Sequence, residues 1–497
     1  MATSTDSTDT RAPGLGKRTL GVPALVFMII AASAPLTVVA GGVTTDFAVS
    51  GVLGVPLSFV VLGIILLVFA VGYTAMSQHV RNAGAFYAYV ARGLGKPTGI
   101  GAAWVALVSY NAMQIGIYGL FGFALSSFLT VTFGLAAPWW LCALIGWAIV
   151  GILGVNRVDF SAKVLGIIVA CEFLVVMVYD LLSLKVAPEG ISAESLQPAS
   201  LFTAGVGAAL AFSIAGFMGF ESGAIYSEEV KDPKTTPRRA TLIAIGIIAV
   251  FYAFSGWAMA VGEGHSAVIG AAAESGPELV FVFLADHAPA WFVELGRLLF
   301  ITSLLAALIA FHNVVARYLF SLGREGVLPA PLAKTNARSH APVAGSLTQS
   351  ALALVVLLVF AFVGAGQGEM FPVVTLFTWL TNTGAFGLVM LMALTSFAVI
   401  GYFRSQPRGL GKWTTLVAPL TAGIALVALF GAIVANFDVL IGLEDASVLG
   451  WLLPALVVVP GILGLLWAFR LRSTRPAIYA GVGHGGDLDE AAETTPR

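Results

Sequence analysis

The chain has 497 residues, of which 58% are apolar and only 10% are charged, and its formal net charge is -1. A soluble globular chain carries about 25% charged residues, so this composition excludes that class of protein. The mean hydropathy of +0.94 instead predicts a polytopic membrane protein whose main partner is the lipid bilayer, with no nucleic-acid partner. The composition leaves the oligomeric state open.

Membrane-crossing helices need roughly 20 apolar residues each. The sequence predicts an all-α protein with twelve of them, at about 20–48, 52–77, 98–130, 138–155, 161–182, 201–228, 238–262, 291–321, 343–364, 371–402, 414–436 and 448–470. We expect an N-terminal tail at 1–19, a ten-helix transport core at 20–402, helices eleven and twelve within 403–470, and a disordered tail at 471–497.

The distribution of basic residues predicts the orientation of the chain. With the N-terminus in the cytoplasm, all but two of the 25 Lys and Arg residues fall on the cytoplasmic side or in the tails; the exceptions are Lys185 and Arg297. Such a split follows the positive-inside rule. We therefore expect a multi-pass protein of the plasma (cell) membrane with both termini in the cytoplasm.

Span one is interrupted at Ser33-Ala34-Pro35. Proline removes a backbone donor and clashes with the preceding turn, and the half-helix that follows presents free amides and a positive dipole end. We expect the carboxylate of a substrate to bind there, with amides from about Leu36 onward and the Ser33 hydroxyl as donors. A plain proline kink is the alternative.

Span six carries a second interruption, at Ser213, Ile214, Ala215 and Gly216. Unwound carbonyl groups there can accept hydrogen bonds from a substrate ammonium, because glycine tolerates non-helical backbone. Phe217 and Phe220 are candidates for an aromatic gate over the ligand, and ordinary helix packing is the alternative.

The two interruptions lie about 180 residues apart and in corresponding places of the two halves. Paired interruptions of this kind point to the binding site of an inverted-repeat secondary transporter. The sequence contains neither an H-E-x-x-H metal motif nor a phosphate-binding G-x-x-x-x-G-K-[ST] loop. We therefore expect a transporter without a metal or other cofactor, and no enzyme.

Four further polar residues lie inside spans three, five and six. Asn111 and Gln114, three residues apart on one face of span three, either contact substrate or bond helix to helix. Glu172 lies near the midplane of span five, where a lasting negative charge is costly. It is our candidate for proton coupling, against a structural or cation-binding role. Glu221, after the second break, either titrates or caps a half-helix.

Charged residues at the inner ends of several spans predict an electrostatic cytoplasmic gate. The candidates are Arg81, Glu228, Glu229, Arg317 and Arg324.

Three stretches carry a family resemblance: Ala83-Gly84-Ala85-Phe86-Tyr87-Ala88-Tyr89, then Gly219-Phe220-Glu221 with Glu228-Glu229, and Asn313…Arg317…Gly323-Arg324-Glu325-Gly326-Val327-Leu328-Pro329. With these motifs the chain resembles the amino acid–polyamine–organocation permeases along nearly its whole length. The resemblance implies a leucine-transporter-like fold of five-plus-five inverted repeats. It also places Asn111 where arginine-exchanging relatives have a ligand-contacting asparagine. Glu172 falls where proton-coupled relatives have a lysine, so the charge there is reversed.

We therefore expect a proton-coupled symporter that moves amino acids by alternating access. A polyamine or amine permease, or an amino acid exchanger of the same fold, is the alternative. A membrane-embedded enzyme would need a polar catalytic cluster, and a channel would need a continuous polar stripe. The sequence shows neither.

Overall fold

The computed structural model describes residues 21–80, 84, 86–156, 162–225, 230–232, 235–336, 341–442 and 447–484. Within these ranges helices follow one another with short connections, which confirms the predicted all-α membrane protein.

Twelve helices in the described ranges are long and apolar enough to cross a membrane. They are Val22–Ser50, Val55–Ser77, Lys96–Phe133, Trp139–Asn156, Gly166–Val186, Thr236–Glu263, Val268–His287, Ala290–Arg324, Val343–Val363, Pro372–Ser405, Trp413–Ala435 and Val448–Thr474. All but one of them coincide with a predicted span, with ends that differ by a few residues.

The exception is Val268–His287, which lies in the connection after span seven. It consists of two short helices, Val268–Ser275 and Leu279–His287, on either side of a 3-10 turn at Gly276–Glu278. Predicted span six instead forms the ten-residue helix Val206–Ala215 and the short helix Ser222–Ile225. A helix of that length cannot cross the bilayer without the segment that follows it.

Span one is interrupted where proline predicts it. The helix Val22–Ser33 ends at Ala34, whose φ of 50° is left-handed. A π-helical stretch, Thr37–Val43, then leads into the helix Thr44–Ser50. π-helical turns are often found at functional sites because they displace side chains from regular helical positions.

The spans differ in how much of their surface the protein itself covers. Spans one and ten are the most buried, whereas spans four, nine and twelve are the least buried. Large apolar side chains on the latter, such as Phe362 at 85% exposure, face outward as expected for contact with lipid. The interrupted span one therefore lies at the centre of the bundle.

Short helices complete the ends of the bundle. Phe86–Leu94 follows span two, and Pro476–Gly481 follows span twelve. The segment from this helix to Gly483 contacts the start of span three and the end of span eight: the Lys96 ammonium donates to the Ala480 carbonyl (2.6 Å), and the Gly483 amide donates to Glu325 (3.3 Å). The tail predicted at 471–497 is described as far as residue 484, and it contains the end of span twelve and this short helix. Residues 485–497 lie outside the described residues.

Candidate functional site

A cavity lies where the two interrupted spans meet. Its walls come from spans one, two, three, six, eight and ten: Ala32, Ser33, Ala34, Thr37, Val38, Gly42, Phe59, Met113, Ile117, Phe212, Ala215, Gly216, Met218, Ala307, Phe311, Phe377 and Thr381. Three of these residues, Ser33, Thr37 and Thr381, carry a polar side chain, and none is charged. A lining of this kind is typical of sites for small, mainly apolar ligands.

The structure brings some of the predicted binding residues to this cavity. Ser33 and Ala34 of the first break line it, as do Ala215 and Gly216 of the second. The other predicted residues do not line it: Pro35, Leu36, Asn111, Gln114, Ser213, Ile214 and Phe217.

Glu172 reaches the first break from span five. Its Oε2 accepts a hydrogen bond from the Leu36 amide (3.2 Å) and another from the Ser303 hydroxyl of span eight (2.8 Å). The Thr37 hydroxyl donates to Ser303 in turn (3.0 Å). The first amide expected to meet a substrate carboxylate is thus bonded to a carboxyl group of the protein.

The hydroxyl group of Ser33 also has protein partners. It donates to the Ile30 carbonyl (3.0 Å) and lies 2.9 Å from the Tyr252 hydroxyl of span seven. Ser33 therefore ties the end of the first half-helix to span seven while its side chain borders the cavity.

The second break comes later in the chain than predicted. The helix ends at Ala215, and Gly216 to Glu221 form successive turns. Gly219 has a φ of 106°, and a side chain there would lie 3.0 Å from Ala32. Glycine is required at this point for two reasons, because the backbone is left-handed and because the two breaks touch.

Glu221 is fixed at the second break by its own segment and by span three. Its Oε2 accepts from the Gly219 amide (2.9 Å), and its Oε1 accepts from the Tyr110 hydroxyl (2.8 Å). The Tyr73 hydroxyl donates to the Glu221 backbone carbonyl (3.2 Å). Glu221 thus fixes the turns of the second break and ties them to span three; its bond to the preceding Gly219 amide differs from that of an N-cap, whose side chain accepts from amides later in the chain.

The two phenylalanines proposed as a gate pack in different places. Phe217 is fully buried, with its ring 6.0 Å from that of Phe59. Phe220 lies edge-on to Phe69 (6.0 Å) and Tyr73 (6.4 Å), in the second half of span two. Phe220 is thus part of an aromatic cluster with span two and does not line the cavity.

Gln114 lies behind the cavity in a polar network that joins three spans. Its side-chain amide nitrogen lies 3.3 Å from both the Leu308 carbonyl and His312 Nδ1, and Gln349 of span nine donates to its oxygen. His312 Nε2 lies 2.7 Å from the Ser346 hydroxyl. This geometry matches interhelical bonding, the alternative that the sequence left open for Gln114.

Asn111 is the other polar position of span three. Its amide donates back to the Leu107 carbonyl of its own helix (2.6 Å), and the residue is half-buried. Met113 and Ile117 are the residues of this helix that line the cavity.

The predicted gate is described in part. Arg81, Glu228 and Glu229 lie outside the described residues. Arg317 is half-buried, and the exposed Arg324 places its guanidinium 5.5 Å from the ring centre of Phe320.

The sequence reasoning missed two buried carboxyl groups, Asp46 in span one and Asp180 in span five. Both are almost fully buried, at 1% and 0% exposure. Each is an isolated acid inside a strongly apolar stretch, which was the available signal. In the described part of the chain no group of three or more metal-ligating side chains is present.

Comparison with known proteins identifies the family of the chain. A model of the family described as "Amino acid permease" matches residues 20–463. The branched-chain amino acid permease BcaP of Lactococcus lactis subsp. cremoris (strain MG1363) is 23% identical over 344 residues, which cover 66% of this chain and 72% of that protein. This chain belongs to the amino acid permease family, and it is a membrane transporter and not an enzyme.

Proposed function

We propose that this protein is a secondary active transporter that couples the movement of apolar amino acids to that of protons by alternating access. The observation that carries the proposal is the uncharged cavity at the junction of the two interrupted spans. An amino acid is neutral overall but has a charge at each end of its backbone, and the two breaks supply backbone donors and acceptors for those charges.

The lining favours an apolar side chain on the substrate. Val38, Met113, Ile117, Phe212 and Met218 surround the cavity, and apolar surface is the main source of affinity in such a pocket. The similarity to a branched-chain amino acid permease supports the same substrate class. A polyamine would need acidic partners, and no acidic side chain lines the cavity, so the amine alternative is disfavoured.

Glu172 is the proposed coupling residue. When it is ionised, its carboxylate and a substrate carboxylate compete for the Leu36 amide, which already donates to Glu172. A proton on Glu172 weakens that bond, because a hydrogen bond to a charged acceptor is about twice as strong as one to a neutral acceptor. Proton and amino acid therefore bind together, which is the requirement for symport.

The orientation and location belong to the same proposal. The charge distribution supports a plasma-membrane protein with both termini in the cytoplasm. Labelling of Lys185 and Lys334 in intact cells by an impermeant amine reagent tests it. Lys185 should react, whereas Lys334 should react only after permeabilisation; the reverse pattern would contradict the proposed orientation.

The transport experiment uses purified protein and three ligands: leucine, its decarboxylated amine and putrescine. Leucine should raise the thermal unfolding temperature, since a ligand that binds only the native state stabilises it, and the amines should not. In proteoliposomes, leucine uptake should exceed equilibrium only with an inward proton gradient. Stabilisation by the amines instead would support an amine carrier, and gradient-independent exchange would support an exchanger.

A further inference from the structure

Two glycines line the cavity, and they differ in the space that a side chain would find there. At Gly216 a β-carbon would lie 2.9 Å from Val38 Cγ1 and 3.3 Å from Phe59 Cε1, which is closer than packed carbon atoms normally approach. At Gly42 the nearest atom beyond the local backbone is Val38 Cγ1, at 3.7 Å, an ordinary van der Waals distance. Close packing therefore accounts for the glycine at position 216 but not for the one at position 42.

The backbone does not require glycine at position 42 either. Gly42 belongs to the π-helical stretch Thr37–Val43, and it is not among the glycines that have a positive φ. Glycine destabilises a helix relative to alanine, because it loses more conformational freedom on folding. The chain thus has at this position a residue that weakens its own helix, and neither its torsion angles nor contact with another span explains it.

The space beside Gly42 is the cavity itself. Gly42 follows Thr37 by five residues, which is the repeat of π-helical hydrogen bonds, and both residues line the cavity. Gly42 is partly exposed, whereas Gly41 and Val43 on either side are buried. Gly41 faces span three instead, since a β-carbon there would lie 2.5 Å from Leu120 Cδ2. A side chain at position 42 would therefore occupy room that is now open to a ligand.

We infer that Gly42 sets the upper limit on the size of the side chain that the substrate can carry. The inference rests on the proposed function and refines it. A ligand packs in such a site at about the density of a protein interior, so each methyl group needs space of its own. A methyl group at position 42 would take space that the branched end of leucine uses, and it would leave enough for the single methyl group of free alanine.

The test measures how Gly42→Ala binds three free amino acids of increasing size: alanine, valine and leucine. Calorimetry on the purified protein gives each Kd. The Kd of leucine should rise about tenfold or more, because one methyl group of overlap changes binding about as much as one methylene group does. The Kd of valine should rise less, and that of free alanine should stay within about twofold of its wild-type value.

Gly42→Ala is expected to fold, because alanine favours a helix and the added carbon meets Val38 at an ordinary distance. Without ligand, its thermal unfolding temperature should equal or exceed that of the wild-type protein. Gly42→Ser adds a side chain of similar size, and it should give the same order of losses. It decides the case if Gly42→Ala does not fold.

Gly246→Ala is the matched control. Gly246 lies in the helix Thr236–Glu263, is partly exposed like Gly42, and has space for a β-carbon with nothing within 4 Å. It does not line the cavity. The control variant carries the same replacement in a helix, and it should leave all three affinities unchanged.

The order of the losses separates a size limit from general damage to the site, since damage would weaken all three ligands alike. The inference is overturned if Gly42→Ala binds leucine as the wild-type protein does, if it loses all three ligands equally, or if Gly246→Ala shows the same losses. Binding of amines by the wild-type protein, without binding of amino acids, would contradict the proposed function alone. Ethylamine, isobutylamine and isopentylamine, the decarboxylated forms of the same amino acids, would then give the size series.

Discussion

The break in span one and the break in span six each leave a backbone amide bonded to a glutamate, but the two glutamates come from different places. Glu172 reaches the Leu36 amide from span five, whereas Glu221 lies two residues after the Gly219 amide that it accepts. The first bond therefore breaks if span five moves away from span one. The second is local and survives such a movement.

Under the proposed mechanism, this difference gives the two breaks different tasks. Glu172 also accepts from Ser303, so its carboxyl group joins spans one, five and eight at a single point. A change in its charge alters contacts among three spans at once, as a coupling residue requires. Glu221 mainly holds the second break in shape, and its change of charge should have a smaller effect on the equilibrium between states.

The largest effect is expected from removing the first break. The double variant Ser33→Ala/Pro35→Ala, with Ala34 unchanged, restores a backbone donor and removes the proline clash, so the helix can continue. Leucine binding should fall below detection by thermal shift or calorimetry, while the protein remains folded. Pro454→Ala, which changes a proline inside span twelve, is the control and should bind normally. Wild-type affinity in the double variant would place the site elsewhere.

Glu172→Gln should abolish coupling and keep binding. Glutamine can still accept from Leu36 and Ser303, but it does not titrate. Counterflow exchange of leucine in proteoliposomes should continue, whereas accumulation driven by a pH gradient should be lost. If the variant still concentrates leucine in a pH-dependent way, Glu172 is structural and Glu221 becomes the next candidate.

Glu221→Gln should have a smaller effect, which sharpens the contrast between the breaks. The replacement keeps acceptors for Gly219 and Tyr110 but weakens each bond, and a hydrogen bond contributes about 1 kcal/mol. We expect leucine affinity to fall less than about tenfold. Uptake should still follow the pH gradient. If uptake by Glu221→Gln no longer followed the pH gradient while uptake by Glu172→Gln still did, Glu221 would be the coupling residue and Glu172 the structural one.

The smallest effect is expected from Tyr110→Phe, which removes one hydroxyl donor to Glu221 and leaves the ring in place. Leucine affinity should change by no more than about fivefold, the equivalent of one hydrogen bond of about 1 kcal/mol. Tyr118→Phe, two turns along the same helix and bonded to Gln114, is the matched control for the loss of a hydroxyl group. A larger loss in Tyr118→Phe would indicate that the network behind the cavity, and not the second break, governs binding.

The sequence predicted the fold well because the bilayer allows few solutions. Helix ends follow from the length of apolar stretches, and Pro35 marked the first break. The second break was placed slightly early, since glycine permits an interruption without fixing where it begins. The helix pair Val268–His287 was not among the predicted spans, and Gly276-Pro277 divides its apolar stretch.

The site was harder to predict than the fold. Met113, Ile117 and Phe311 line the cavity, but nothing distinguishes them in sequence from the many apolar residues that face lipid. Their role depends on helix rotation, which a nearly uniform apolar helix does not encode. The depth of Glu172 was readable from the sequence, whereas its bond to Leu36 joins positions that only packing brings together.

The scarcity of polar side chains in the cavity has a consequence for competition among substrates. Apolar contact discriminates gradually, since one methylene group more or less changes binding by about 1–3 kcal/mol. If the proposed function holds, a wall made mainly of Val38, Met113, Ile117, Phe212 and Met218 would rank aliphatic amino acids by size without rejecting any of them outright. In a mixture, the abundance of each amino acid would count for as much as its fit in deciding which one is carried.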